Sequence, residues 1–369
     1  MAFLAVILSA ILLSQWFSGA NAADVCDVSV DVPKTAPFGE KFKVTFTYAN
    51  PDTSISSFIY APKSSGASNT KVFTLEIKCD EDVKKVPIRV DMGPTKTLRS
   101  NEGWKNCLNE VREVQCVKES SGKHDPHFTT FSGERYDYHG ECDLVMLKNP
   151  SYNNGTGLDV HIRTKIEIFY SYIRTAIVRI GQETFEVTGA PGNQYWLNSR
   201  PGVEFPARIS GHAIGYRRID ENQHRYNIIL GQGNGEHIEI STYKHFVGVS
   251  VKQGTFETFS GSLGLLGSFK TGKKVARDGV TIIADTNEFG QEWQVLPSDP
   301  QLFRNIEGPQ YPEMCLLPTI TFMEGRNLRA DVISPEEAHA ACSRVNPVDY
   351  DICVFDVIAT NDVGIAGAY

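Results

Sequence analysis

Several features that would indicate catalysis, nucleic-acid binding or membrane insertion are missing from this chain of 369 residues. It has no Gly-x-Ser-x-Gly motif of serine hydrolases. It also has no Cys-x-x-Cys pair, so neither a zinc knuckle nor a thioredoxin-like redox centre is indicated. The net charge of −8, with no long block of like charge, argues against nucleic acid or an anionic membrane as a partner. The remaining composition, 41% hydrophobic and 22% charged, is that of a globular protein.

The first 22 residues are predicted to be a secretory signal peptide. An apolar run, Phe3–Leu13, precedes Ala20-Asn21-Ala22, and such a pattern is typical of cleavage after Ala22 or Ala23. No Lys or Arg precedes the run, so the alternative is an uncleaved anchor helix. The run is shorter than the roughly 20 residues that a membrane-spanning helix needs, and no later stretch is long enough either. We therefore expect a secreted, extracellular protein.

Eight cysteines follow the signal peptide, and this even number favours disulfide bonds formed in an oxidising compartment. They are Cys26, Cys79, Cys107, Cys116, Cys142, Cys315, Cys342 and Cys353. Cys26 and Cys79 fall in phase with inward-facing residues, so we predict a bond between them. Cys107 and Cys116 bracket a short segment, and a local bond is the simplest prediction for that pair.

Residues 24–118 are predicted to form an Ig-like β-sandwich. Apolar residues alternate with polar ones in four segments, as in half-buried antiparallel strands. The inward-facing sets are Cys26, Val28, Val30 and Val32; Phe42, Val44, Phe46 and Tyr48; Phe73, Leu75, Ile77 and Cys79; and Val86, Ile88, Val90 and Met92. Turn-forming residues separate the segments, which favours a small sandwich.

Residues 120–297 are predicted to form a second antiparallel β-sandwich, because β-branched and aromatic segments alternate with Gly, Pro and Asn. The predicted strands are Leu144–Leu147, Leu158–Ile168, Ala176–Ile180, Thr184–Val187, Tyr226–Leu230, His237–Ile240 and Phe246–Val251. Gly231-x-Gly233-x-Gly235 lies between two of these strands, so it is interpreted as a hairpin loop and not as a phosphate cradle.

Residues 298–369 are predicted to form a short helical tail. Ser334-Pro335-Glu336-Glu337 has the pattern of a capping box with proline at the first helical position. Ala338, Ala341, Cys342 and Val345 then mark one face of a helix, which Asn346-Pro347 would end.

Three motifs make the central region similar to a known family. Asp125-Pro126-His127 opens a run, 125–142, that closely resembles the beginning of a von Willebrand factor type D domain. The loop Gly264–Gly272 and the sequence Gln291-Glu292-Trp293 resemble its end, so the resemblance spans about 120–297. Residues 341–356 resemble a reduced C8 module. The resemblance implies an extracellular, mainly β and non-enzymatic protein.

The resemblance also implies where calcium would bind, and the residues at those positions argue against binding. The ligand positions are occupied by Ser132, Ser268 and Lys270. Calcium requires about six to eight oxygen ligands, and carboxylates supply most of the binding free energy. We therefore predict a degenerate site with no cofactor, in which Lys270 acts as a built-in cation. Asp278 and Asp285 are the nearest carboxylates, but their spacing from the loop does not match.

The resemblance further implies a disulfide pattern. Leu266 replaces the family's loop cysteine, which frees Cys116 and supports the Cys107–Cys116 bond. Cys142 would pair with Cys315. Cys342 and Cys353 then remain for each other or for partners in another chain.

Three further features have a chemical and a structural interpretation. In some relatives the Asp-Pro bond of this motif cleaves itself on acidification, so Asp125, Pro126 and His127 are self-cleavage candidates; the favoured interpretation is a simple turn. His124, His127 and His139 are close in sequence without acidic or cysteine partners at metal spacing, which favours structural roles. Gly261-Ser262-x-Gly264 is interpreted as a turn.

Asn154-Gly155-Thr156 is an N-glycosylation sequon in an exposed turn, so Asn154 is a predicted glycosylation site.

Together these features predict a non-enzymatic, secreted structural or adhesive component of a matrix, mucus-like or coat assembly, which binds other extracellular proteins or glycoproteins and is a candidate for self-association. The alternatives are an autoprocessing or lipid-carrier-associated protein and a mineral-associated matrix protein.

Overall fold

Antiparallel strands are the predominant secondary structure of the computed structural model, and the few helices are short. The mainly β fold class predicted from the sequence is therefore confirmed. The structure describes residues 28–32, 35–37, 41–48, 55–61, 64–68, 72–79, 85–94, 105–106, 112–124, 126–167, 170–190, 194–231, 235–304, 314–319, 332–345 and 349–369. The chain divides into two compact units, residues 1–116 and residues 117–369. The sequence-based domain boundaries stay a prediction.

The first unit consists of short antiparallel strands around one apolar core. Its strands are β1 (Val28–Asp31), β2 (Thr35–Pro37), β3 (Lys41–Tyr48), β4 (Ile55–Ala61), β5 (Ser64–Ser68), β6 (Val72–Lys78), β7 (Lys85–Pro94), β8 (Lys105–Asn106) and the start of β9 (Arg112–Lys123). One sheet has the order β1-β3-β6, and β9, β7, β4 and β5 pair in that order in another. Alternate residues of β3 and β7, including Val44 and Ile88, are fully buried as the period-two pattern predicts.

The disulfide of this unit differs from both sequence predictions. Cys79 is bonded to Cys116, so the predicted Cys26–Cys79 and Cys107–Cys116 bonds are wrong. Both sulfur-bearing residues are fully buried in the core. The alternation pattern placed Cys79 on the inward face, but a period of two says nothing about which strand lies opposite. Cys26 and Cys107 lie outside the described residues.

The second unit contains two antiparallel sheets. A six-stranded sheet has the order β12 (Asp143–Asn149), β13 (Leu158–Glu167), β14 (Tyr170–Ile180), β15 (Glu183–Thr188), β16 (Gln194–Leu197) and β17 (Arg200–Pro201). The other sheet has the order β18 (Ala207–Ile209), β19 (His212–Arg218), β20 (Gln223–Ile229), β21 (His237–Tyr243), β22 (Phe246–Gly254) and the second part of β9, and β10 (His127–Thr129) pairs with β9 and β11 (Arg135–Asp137). All seven strands predicted here are present.

One hydrophobic core fills the space between these two sheets. Ile162 and Val178 from the six-stranded sheet belong to the same buried cluster as Ile240 and Val249 from the other sheet. The hairpin predicted around Gly231 joins β20 to β21, although residues 232–234 lie outside the described residues. Trp293 is buried in this core, and its indole donates a hydrogen bond to the carbonyl of Val275 at 3.0 Å.

The helices of the second unit are brief. They are α1 (Tyr152–Gly155), α2 (Phe256–Phe259), α3 (Thr286–Glu292), α4 (Pro335–Ala341) and α5 (Tyr350–Thr360), with 3₁₀ turns at Cys342–Arg344 and Val363–Ala368. Within the part of the chain that is described, no helix has the length and apolar character needed to cross a membrane.

The capping box predicted for α4 is confirmed. The Ser334 hydroxyl accepts a hydrogen bond from the backbone N–H of Glu337 at 3.2 Å, and the Glu337 carboxylate accepts one from the N–H of Ser334 at 2.9 Å. These bonds satisfy two backbone donors that the start of a helix would otherwise leave unpaired. Residues 346–348, which include the predicted helix-ending Asn346-Pro347, lie outside the described residues.

Removing the Cys79–Cys116 bond should destabilise the first unit selectively. The bond closes a separation of 37 residues, and losing such a bond costs about 2–5 kcal/mol in small secreted domains. We expect a Cys79→Ser and Cys116→Ser double variant to lose hydrogen-exchange protection in β3 and β7, while a Cys342→Ser and Cys353→Ser variant keeps it. In non-reducing peptide mapping, a Cys26–Cys79 peptide would contradict this assignment.

Candidate functional site

The two regions that resemble the ends of a type D domain meet at Ser132. Its hydroxyl donates a hydrogen bond to the carbonyl of Gly272 at 2.9 Å and lies 3.0 Å from the hydroxyl of Thr130. Gly272 has a φ of +70°, and a Cβ added there would lie 2.4 Å from the Cβ of Ser132. Glycine is therefore required for this close approach. The structure thus brings the predicted early and late ligand positions together.

The donors at this meeting point suit hydrogen bonding within the protein better than calcium. Ser268 is buried, and its hydroxyl accepts a hydrogen bond from the N–H of Thr271 at 3.4 Å. No group of three or more His, Cys, Asp or Glu side chains that could hold a metal occurs among the described residues. Since calcium binding draws its free energy mainly from carboxylates, hydroxyls are a poor substitute. The absence of calcium binding stays a prediction.

The two nearest predicted carboxylates both have local structural roles. Asp278 accepts hydrogen bonds from the backbone N–H groups of Val280 and Thr281, each at 2.8 Å. Asp285 is the N-cap of α3, where it accepts from the N–H groups of Asn287 and Glu288 at 2.9 Å. Each carboxylate is therefore occupied in a turn or cap, as short polar side chains commonly are.

Two ammonium groups at the loop are buried, and neither belongs to Lys270. The Nζ of Lys118 donates a hydrogen bond to the carbonyl of Phe269 at 2.5 Å and lies 4.9 Å from the centre of that residue's ring. The Nζ of Lys274 lies 3.0 Å from a carboxylate oxygen of Glu134. Lys270 is exposed. The predicted position of the built-in cation is therefore corrected to Lys118 and Lys274.

Sequence spacing could not have identified Lys118, because it comes from β9, 151 positions before Phe269. Leu266, the residue in place of the family's loop cysteine, is 1% exposed and belongs to the core. Its N–H donates to the carbonyl of Met146 at 3.3 Å, and its carbonyl accepts from Phe131 at 3.0 Å. The substitution thus replaces a potential cross-link with apolar packing.

Among the self-cleavage candidates, His127 lies against the C-terminal helix α5. Asp125 lies outside the described residues, whereas Pro126 and His127 are buried. Nδ1 of His127 lies 2.6 Å from an oxygen of Asp137. Nε2 of the same ring lies 3.3 Å from an oxygen of Asp356 in α5, within ion-pair distance. The ring is therefore flanked by two carboxylates, as a doubly protonated imidazolium would be.

Asp356 is the most unusual charged residue of this site, because it is fully buried. Its second carboxylate oxygen accepts a hydrogen bond from the hydroxyl of the C-terminal residue, Tyr369. Burial opposes the charge of Asp137, but the hydrogen bond from His127 and the charge of that ring outweigh it, so the pKa of Asp137 is lowered. Sequence reasoning missed both carboxylates, because neither has a recognisable spacing from His127.

His124 lies next to this group and is also fully buried. Neither of its ring nitrogens has a hydrogen-bond partner, and its ring lies edge-on to that of Tyr369 at 5.3 Å. Burial lowers the pKa of His124 to about 4, and the nearby carboxylate of Asp356 offsets this only in part. Its ring is therefore neutral at physiological pH.

His139 is stacked on Tyr170 with the ring centres 4.3 Å apart. Thus His124, His127 and His139 take part in packing and ion pairs, which agrees with the structural interpretation of these residues.

Two disulfides of this unit follow the pattern implied by the resemblance. Cys142 is bonded to Cys315, and Cys342 is bonded to Cys353. All six cysteines in the described parts of the chain are bonded. The alternative of intermolecular bonds through Cys342 and Cys353 is therefore wrong, since the two residues close on each other.

The remaining candidates lie where the sequence interpretation places them. Asn154 is exposed in α1, with a left-handed φ of +57°, and so is accessible to glycosylation. Ser262 is 1% exposed and its hydroxyl has no hydrogen-bond partner. A nucleophilic serine needs a base within hydrogen-bond reach, so this geometry does not support Ser262 as a nucleophile.

Comparison with known proteins supports the resemblance in part. No protein-family model matches the chain. The human IgGFc-binding protein is similar, with 24% identity over 214 residues that cover 57% of this chain. The matched region is only 4% of the length of that relative, which contains several von Willebrand factor type D domains. The similarity is thus distant and partial, and together with the three disulfides it is consistent with an extracellular location.

Replacing Lys118 should reveal its role as an internal cation. We expect Lys118→Met to lower the free energy of unfolding by about 1–3 kcal/mol, because the buried carbonyl of Phe269 loses a charged donor. Lys270→Met, at an exposed position, should change it by less than about 0.5 kcal/mol. Urea unfolding measures both values.

Calorimetric titration of the protein with calcium should show no binding. A site of micromolar affinity would refute the predicted loss of calcium binding.

The chain should remain intact on mild acidification. His127 is held between Asp137 and Asp356, so its ring is already engaged and the favoured interpretation of Asp125-Pro126 is a turn. We expect a single band on denaturing gels after incubation at pH 5 to 6. Appearance of a fragment that begins at Pro126, absent from an Asp125→Asn variant, would establish self-cleavage instead.

Proposed function

We propose that this protein is a secreted, non-catalytic component of an extracellular assembly, such as a matrix, mucus-like layer or coat, and that it acts by binding other extracellular proteins or glycoproteins. Its disulfides and its distant similarity to the human IgGFc-binding protein support the extracellular part of the proposal. A structural role also agrees with the engagement of polar groups such as His127 and Lys118 in internal contacts.

An ordered apolar turn, residues 278–282, is the observation that carries the binding part of the proposal. Val280 is 79% exposed and Ile282 is 57% exposed, although both are large and apolar. Asp278 fixes the turn by accepting hydrogen bonds from the main chain and, at 2.6 Å, from the hydroxyl of Thr281. An apolar group presented in a fixed conformation favours binding, because little conformational entropy is lost on association.

Arg277, at the base of the apolar turn, is also held by hydrogen bonds. The backbone N–H of Arg277 donates to a carboxylate oxygen of Glu292 at 2.9 Å, and its guanidinium donates to Asp299 at 2.8 Å. The guanidinium carbon also lies 5.1 Å from the centre of the Trp293 ring. These contacts connect the exposed turn to the buried core, so the turn is held in place when a partner contacts Val280.

The name of the human relative indicates the first partner to test, the Fc fragment of IgG. Binding of Fc by the present chain is a proposal. Fc is itself an extracellular glycoprotein. An Fc preparation of defined glycosylation therefore also tests the broader proposal that the protein binds extracellular glycoproteins.

Substitution of the apolar turn should weaken binding without unfolding the protein. We expect the secreted full-length protein to bind immobilised Fc, and a Val280→Asp and Ile282→Asp double variant to bind it about 10- to 100-fold more weakly, since two apolar contacts are replaced by charge. Ile219→Asp is the matched control, because Ile219 is also exposed, at 40%. Biolayer interferometry measures the affinities.

Equal binding by the double variant and the control would exclude the apolar turn as the contact. Failure of the unsubstituted protein both to bind Fc and to co-fractionate with insoluble extracellular material would reject the proposed function. Turnover of a peptide, ester or glycoside substrate panel would also reject it.

A further inference from the structure

The C-terminal tail, residues 332–345 and 349–369, covers an apolar surface of the two sheets. Tyr172, Tyr243 and Phe246 are 4%, 6% and 8% exposed, and they form one cluster with tail residues that include Val357 and Ile365. The disulfide of the tail joins two of its own helical segments. Among the described residues, the contacts between the tail and the sheets are therefore noncovalent.

Several polar contacts at the edges of this surface are partly exposed. Lys123 pairs with Asp349 at 2.8 Å, and Lys244 pairs with Asp362 at 2.6 Å. The side chain of Gln223 donates to the carbonyl of Gly367 at 2.6 Å. Ion pairs that remain accessible to water contribute little each, so the buried contacts at the centre decide whether the tail stays docked.

The buried centre is formed by the histidine turn, which comprises His124 and His127, together with α5. His127 is held from both sides, by Asp137 of β11 and by Asp356 of α5. This contact fits a charged imidazolium, because a doubly protonated ring can face a carboxylate on each side. The pKa of Asp137 is lowered, so this carboxylate stays ionised further into acid.

His124, in contrast to His127, suits the docked tail only when its ring is neutral. It faces Asp356 and Tyr369 of the tail, Lys123 and His127 of its own segment, and the backbone of Gly248 in β22. Its two ring nitrogens have no hydrogen-bond partner. A proton on this ring would create a fully buried cation without a hydrogen bond, beside the positive charges of two neighbours. Such a charge is costly unless the contact opens to water.

We propose that the tail is an acid-released latch, which stays docked while His124 is neutral and opens when that ring takes up a proton, uncovering Tyr172, Tyr243 and Phe246. The direction follows from linkage. The pKa of His124 is about 4 when docked, against an ordinary value of 6.5. A lowered pKa favours docking above 6.5, and that contribution is lost progressively as the pH falls towards 4.

Hydrogen exchange of the full secreted chain tests this latch. Linkage predicts that protection of α5 peptides falls by on the order of tens of fold between pH 7 and pH 4.5, after correction for intrinsic rates. Peptides from β13 act as the internal reference and should keep their protection. In a His124→Asn variant, whose side chain does not titrate and tolerates the left-handed φ of +37°, α5 should show the same protection at both values of pH.

His339→Asn is the matched control, because His339 lies in α4 of the same tail but is exposed. It should keep the full acid response. Should His124→Asn fail to fold, Asp356→Asn gives an independent result, since loss of the carboxylate should loosen α5 already at pH 7. Unchanged protection of α5 in the unsubstituted protein, an acid response that persists in His124→Asn, or one that disappears in His339→Asn would overturn the proposal.

Discussion

The fully buried carboxylate of Asp356 is the contact on which the C-terminal part of the molecule depends. Removing an ion of this size from water costs several kcal/mol unless partners compensate. His127 and the hydroxyl of Tyr369 are those partners, so one side chain joins the histidine turn, helix α5 and the last residue of the chain. Apolar packing of Val357 and Ile365 can then bury the aromatic residues beneath the tail.

Buried charged side chains with internal partners also occur at the loop that resembles the late loop of a type D domain. There, buried ammonium groups of Lys118 and Lys274 contact the carbonyl of Phe269 and the carboxylate of Glu134. In both places, buried charged side chains contact polar or oppositely charged groups of the same chain. This arrangement is why the exposed surface, and in particular the apolar turn around Val280, is the stronger candidate for function.

Local patterns predicted much of this structure from the sequence. The four strands predicted in the first unit follow from period-two alternation, and the seven predicted in the second follow from β-branched and aromatic segments. The capping box at Ser334 follows from residue spacing within one turn. The partners across the fold did not follow, because they depend on tertiary contact. Cys79 pairs with Cys116 of another strand, and the cation at Phe269 comes from Lys118. A pattern within one segment carries no information about such distant partners.

The protonation of the two buried histidines is the most direct test of this account. In nitrogen-15 NMR spectra of histidine-labelled protein, the ring of His127 should have the shifts of an imidazolium at pH 7, since both of its nitrogens face carboxylates. His124 should remain neutral at pH 7 and titrate well below the ordinary histidine range. A neutral His127 at pH 7, or a His124 that titrates near its ordinary pKa of 6.5 with the tail docked, would contradict the account.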